Sequence, residues 1–226
     1  MTTPNEPSEK TDIYATEQTF AALGVHSGLV ETLAAQGIVA AFPIQAMTIN
    51  DALAGRDVCG KAKTGSGKTL GFGLPMLQRI AESGGAAKGD GPATPKGLVL
   101  LPTRELAVQV YDVLKPLGEA IGLRLVSVYG GADIEKQIKD VRKGADVIIA
   151  TPGRLIDLGD RGQVDVSQLD VLVLDEADRM ADMGFMPQVE WVLRKIDARP
   201  HQTLLFSATL DGAVDRLVKR YLKDPV

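Results

Sequence analysis

The chain is poor in the residues that most often build a site by themselves. It carries one cysteine, Cys59, and two histidines, His26 and His201. A lone thiol forms no internal disulfide, and two imidazoles do not complete a zinc cluster. Cys59 is therefore expected as a small buried core residue. Aromatic residues make up only 4% of the chain. Neither the four tyrosines nor Trp191, which lies in the helix-like QVEWVLRKI, forms a stacking platform. No apolar run approaches the ~20 residues needed to cross a bilayer. The N-terminal MTTPNEPSEK has neither the basic start nor the apolar stretch of a signal peptide. No membrane partner is expected, and a cytoplasmic location follows as the default. A basic excess is also missing. With a net charge of −4, any nucleic-acid site must be a local patch rather than a broad cationic surface.

What is present is core-forming material. The 226 residues are 45% hydrophobic and 24% charged, enough for one large or two small globular domains. Residues 1–15 are polar and aperiodic and read as a disordered tail. The stretch SGGAAKGDGPATPKG, residues 83–97, reads as a flexible surface loop. Neither divides the remainder, so residues 16–226 are expected as one domain. Within it, apolar runs recur near Val58, Leu98, Leu123, Asp146, Val171 and Thr203, separated by helix-like segments. Ser27 with Gly37 brackets one helix, and Pro43 opens another. Runs that are apolar at every position, rather than at alternate ones, suit a parallel sheet covered on both faces. The expected fold is α/β, with ligands gathered beyond the carboxyl ends of the strands.

After the first run stands AKTGSGKT, residues 62–69, followed by the helix-like LGFGLPMLQRI. This is a phosphate-binding P-loop with Ala62 where the usual pattern starts with glycine. Gly65 and Gly67 allow the backbone N–H groups of Ala62, Lys63, Thr64, Gly65, Ser66 and Gly67 to turn inward, and the next helix adds its positive end. Lys68 is expected to reach the β- and γ-phosphates, and Thr69 to offer its hydroxyl to Mg²⁺.

The run VLVLDEADRM, residues 171–180, ends abruptly in three carboxylates within four positions. A P-loop site gives those charges a purpose, because a second acidic strand end must hold the metal and orient the attacking water. Asp175 is placed to coordinate Mg²⁺, partly through water, and Glu176 to act as general base. Helix capping alone accounts for one carboxylate better than for three.

Asp175-Glu176-Ala177-Asp178 spells DEAD, and with the P-loop upstream the chain resembles the DEAD-box ATP-dependent RNA helicases. PTREL at Pro102–Leu106, the pair Gly130 and Gly131, TPGR at Thr151–Arg154, and SAT at Ser207–Thr209 occur in the family's order. The resemblance spans residues 20 to about 225 and implies the first of the family's two RecA-like domains, with ATP and Mg²⁺ as ligands and RNA as partner. Pro102, Thr103, Arg104, Gly130, Gly131, Thr151, Pro152, Gly153 and Arg154 would then contact the RNA backbone without reading bases. Ser207 and Thr209 would hydrogen-bond Asp178 and couple the nucleotide site to domain closure. The family's Q motif matches Phe20, Gly37 and Gln45, so Phe20 is expected to stack on adenine and Gln45 to bond its edge. The chain departs from that motif at Ala41 and Phe42, where the family has proline and threonine.

A second RecA-like domain of the same full-length protein, which would complete the ATP site, has no match in these residues. The chain alone is thus expected to bind adenine nucleotide without unwinding RNA. Two other readings remain at this point. One is a non-catalytic, nucleotide-gated RNA-binding scaffold, against which Lys68, Thr69, Asp175 and Glu176 argue. The other is a P-loop DNA translocase, disfavoured by DEAD together with SAT and PTREL.

Overall fold

The computed structural model describes residues 16–86, 91–196 and 199–226; the tail expected at residues 1–15 lies outside them. Each apolar run is a strand: β1 (Val58–Lys61), β2 (Gly97–Leu100), β3 (Leu125–Val128), β4 (Val147–Ala150), β5 (Val171–Asp175) and β6 (Gln202–Ser207). They pair in parallel in the order β1-β6-β5-β2-β4-β3.

Helices α1 (Ser27–Ala35), α2 (Pro43–Leu53), α3 (Lys68–Glu82) and α4 (Arg104–Ala120) supply one covering layer. The other contains α5 (Ile134–Val141), α6 (Pro152–Asp160), α7 (Ala177–Asp182), α8 (Met186–Ile196) and α9 (Gly212–Tyr221). Alternate strand residues serve opposite layers. In β5, Val171 and Val173 join the first core, while Leu172 and Leu174 join the second. That division is why the strand reads as an unbroken apolar run. Among the described residues no helix is long and apolar enough to cross a membrane.

Three local expectations change. Ser27 is the first helical residue rather than the cap; the His26 side chain accepts from Gly28 N. The 83–97 segment is pinned on both sides of residues 87–90. The Asp146 carboxylate accepts from Ala86 N and Arg124 N, each at 2.7 Å, and Ala93 bridges to Val164. Cys59 is half-buried on edge strand β1 instead of lying deep in the core, and burial pushes its thiol pKa up.

The strand order divides the carboxyl end of the sheet. β1, β6 and β5 deliver the P-loop, SAT and DEAD residues side by side. β2, β4 and β3 deliver PTREL, TPGR and the glycine pair on the other half.

Candidate nucleotide and nucleic-acid site

The P-loop leaves β1 at Lys61 and enters α3 at Lys68. Gly65 and Gly67 have φ of +84° and +85°, the left-handed region where glycine carries no steric penalty. A Cβ on Gly67 would also meet the Phe42 ring at 2.6 Å and Gln45 Nε2 at 2.7 Å, so both backbone and packing demand glycine there. Ser66 Oγ is buried in this loop with no hydrogen-bond partner among the described residues. Of the loop N–H groups expected to turn inward, Ala62 N instead donates to Ser207 O at 2.9 Å and Ser66 N to Lys63 O at 3.3 Å; the orphan hydroxyl fits a phosphate cradle.

β5 brings the carboxylates to the same place. Lys68 Nζ lies 2.8 Å from Asp175 Oδ1 and 2.6 Å from Glu176 Oε1. Thr64 Oγ1 donates to Glu176 Oε1 at 2.7 Å, across 112 positions of sequence. Glu176 adopts φ 54°, ψ 47°, a left-handed conformation that costs a non-glycine residue about 1–2 kcal/mol. Its N–H donates to Asp175 Oδ1 at 2.9 Å. Strain of this kind persists where surrounding contacts hold it, and here it turns the Glu176 side chain to Lys68 and Thr64. Burial pushes the Asp175 pKa up, with Lys68 opposing and Glu176 adding to the rise. Burial works against the Lys68 ammonium, but Asp175 and Glu176 outweigh it and raise the lysine's pKa.

A cavity of about 740 Å³ opens over this cluster, bounded by Gly37, Ile38, Phe42, Gln45, Gly67 and Glu176 among others. A larger, mostly apolar groove of about 960 Å³ runs along β1 and α2 and is also lined by Ala62–Ser66 of the P-loop. Lys68, Asp175 and Glu176 line the smaller cavity.

On the other half of the sheet end, Thr103 caps α4 by accepting from Leu106 N at 3.4 Å. Arg104 is exposed; it lies over the Tyr129 ring at 5.2 Å and donates to Gly131 O at 3.4 Å. Gly130 and Gly153 are exposed, and a Cβ at either would meet nothing within 4 Å. Pro102 and Pro152 are buried at the loop bases. Thr151 Oγ1 accepts from Gly130 N at 3.4 Å. The Arg154 guanidinium donates twice to Ala132 O, each at 3.2 Å, and once to Gln137 Oε1 at 3.0 Å. The half-buried guanidinium thereby braces the glycine loop.

A family model described as DEAD/DEAH box helicase matches residues 42–217. The chain belongs to that family. Among curated relatives, the pre-mRNA-processing ATP-dependent RNA helicase prp-5 of Neurospora crassa is 44% identical over 213 residues, which cover 92% of this chain and 17% of prp-5. The DEAD-box ATP-dependent RNA helicase CshA of Streptococcus pneumoniae is 43% identical over 206 residues, 91% of this chain and 38% of CshA. The chain thus spans well under half of these relatives. Among solved structures, the RNA helicase Prp28 from Chaetomium thermophilum bound to ADP superposes with a TM-score of 0.80 at 36% identity, over 93% of this chain and 50% of that one. The fold is that of a RecA-like helicase domain.

Within this DEAD-box domain Phe20 and Gln45, the residues expected to recognise adenine, are both buried. Phe20 is 1% exposed and packed in the first core, so it presents no ring face to a base. Its neighbour Thr19 bridges to Ala40, which holds this segment against the first core. Gln45 is buried; its Oε1 accepts from Phe42 N and its Nε2 donates to Gly67 O, both at 2.8 Å. The amide is a strut between the two loops. Ile38 and Phe42 line the cavity beside Gln45, and the residue types unusual for the motif around Pro43 were the available signal. The coupling residues do meet. Asp178 N donates to Ser207 Oγ at 3.1 Å, and Thr209 N and Oγ1 donate to Asp178 Oδ2 at 3.1 and 3.4 Å. Ser207 therefore caps α7 from the neighbouring strand, and only Thr209 reaches the carboxylate.

Proposed function

We propose that this chain is the nucleotide-binding half of an ATP-dependent RNA helicase, with GIVAAFPIQ as its Q motif and residues 16–226 as one RecA-like unit. The observation that carries the reading is the convergence of Lys68, Asp175, Glu176 and Thr64 beneath the P-loop. ATP enters with its phosphates against the loop amides, and Lys68 turns from the carboxylates to the β- and γ-phosphates. Release from Lys68 leaves Glu176 free to take the proton of the attacking water, with Thr64 holding its orientation. Thr69 and Asp175 offer the hard oxygen donors that suit Mg²⁺, which when bound neutralises phosphate charge. RNA lies across PTREL, the glycine pair and TPGR, held by its backbone without base readout. A second RecA-like domain of the same full-length protein closes over both sites, so this half alone binds adenine nucleotide, hydrolyses it slowly and unwinds nothing. The reading includes a cytoplasmic location.

Parallel titrations of the chain with fluorescent ADP and fluorescent GDP test it. Preference for ADP supports a working adenine pocket built on Ile38, Phe42 and Gln45. Equal binding, or none, would overturn it.

A further inference from the structure

The loop Tyr129–Ala132 leaves β3 and carries the glycine pair, and every one of its residues is tied from outside. Thr151 takes Gly130 N, Arg104 takes Gly131 O and Arg154 takes Ala132 O. Tyr129 is held by Gln137, a residue of α5 that belongs to none of the sequence motifs. Gln137 Nε2 donates to Tyr129 O at 3.1 Å, and Gln137 Oε1 accepts from Tyr129 N at 3.3 Å. The side-chain amide thereby pairs with both backbone groups of the residue just past β3, as a neighbouring strand would. The same Oε1 accepts from Arg154 Nη1 at 3.0 Å. Gln137 is 9% exposed, so these bonds are made where water competes little.

Resting on the RNA reading above, we propose that Gln137 is a positioning residue for the nucleic-acid track. Through Tyr129 it fixes the ring over which Arg104 lies; through Arg154 it fixes the far end of the loop. Gly130 and Gly131 are exposed between these two anchors, with Gly131 at φ +75°. Without an anchor, so glycine-rich a loop samples many backbone states, and ordering it on contact with a sugar–phosphate chain costs affinity. The position needs an acceptor and a donor in one uncharged group, which among side chains of this length glutamine provides. Methionine fills the volume and makes neither bond. Glutamate keeps the acceptor toward Arg154 and Tyr129 N but sets an oxygen against Tyr129 O.

The test uses the whole 226-residue chain at low salt, with fluorescein-labelled oligouridylate and, separately, fluorescent ADP as probes. Gln137→Met is expected to weaken oligouridylate binding about tenfold, the scale of a lost preorganised contact, while ADP affinity stays unchanged. Gln137→Glu is expected to fall between wild type and Gln137→Met. Wild-type oligouridylate affinity in Gln137→Met would overturn the positioning role, as would an equal fall in oligouridylate and ADP affinity, which marks general damage. A wild-type chain that binds ADP but no oligouridylate would overturn the RNA reading itself, and the role of Gln137 with it.

Discussion

Lys68 Nζ stands 2.6 Å from Glu176 Oε1, and both residues are almost fully buried. Asp175 shares the same ammonium at 2.8 Å. On the proposed reading, bound phosphates draw Lys68 from the two carboxylates. The pairing keeps two buried acidic groups tolerable at the end of an apolar strand.

Lys68→Ala removes the one cation that, among the described residues, pairs with both carboxylates. Breaking a buried pair from one side costs about 3 kcal/mol or more, partly relieved as Asp175 takes up a proton. For a domain of this size that corresponds to a fall in Tm of roughly 6–12 °C. Calorimetry checks it, and an unchanged Tm would show that the cluster contributes nothing to stability. Binding of ADP should weaken in parallel.

Glu176→Gln keeps an oxygen that can accept from Lys68 and Thr64 but cannot take a proton. In the proposed two-domain enzyme, ATP turnover should fall by at least about 10²-fold, the usual scale for a lost general base, with ADP affinity little changed. Phosphate release measures the first and fluorescence titration the second. Normal turnover would remove Glu176 from the role of base.

The raised pKa of Asp175 sets a sign for pH dependence. Its folded pKa lies above its ordinary value, so the charged form burdens the fold above the folded pKa. That burden is lifted as pH falls toward the ordinary aspartate value. Lys68 acts at the other end: its stabilisation is complete below the ordinary lysine range and is lost as pH rises through its raised folded pKa. Asp175→Asn lacks the acidic titration. Its Tm relative to wild type should therefore be higher above the folded Asp175 pKa than near the ordinary aspartate value. A difference in Tm that stays constant with pH would contradict this.

Phe20→Ala should cost about 3–5 kcal/mol, as for other buried phenylalanines, and the milder Phe20→Leu should leave the ratio of ADP to GDP affinity unchanged. Phe42→Ala should weaken ADP binding, because that ring lines the cavity and packs on Gly67. Loss of base discrimination in Phe20→Leu would return Phe20 to the base site.

Ser207→Ala removes the acceptor for Asp178 N, and Thr209→Ala one donor to the Asp178 carboxylate. Combined in the full-length enzyme, they should reduce unwinding while leaving most RNA-stimulated hydrolysis. Equal loss of both activities would mean that these residues shape the ATP site itself.

The sequence by itself determined the parallel sheet, the P-loop and the acidic strand end. These are local signals: strand runs, a glycine pattern and a sharp change from apolar to charged residues each lie within about ten positions. Where individual side chains point was decided by tertiary contacts. Phe20 reads as an aromatic upstream of a nucleotide motif, yet the helices around it enclose it in the core. Arg154 reads as a phosphate contact, and only the tertiary structure shows that its guanidinium also donates to Ala132 O and Gln137 Oε1. Gln137 itself carries no motif and becomes visible only once β3 and β4 lie side by side and Arg154 of α6 reaches Gln137 of α5. Spacing along the chain fixes which backbone elements form. Which buried donors meet which acceptors depends on packing between segments far apart in sequence, as with Thr64 and Glu176 across 112 positions.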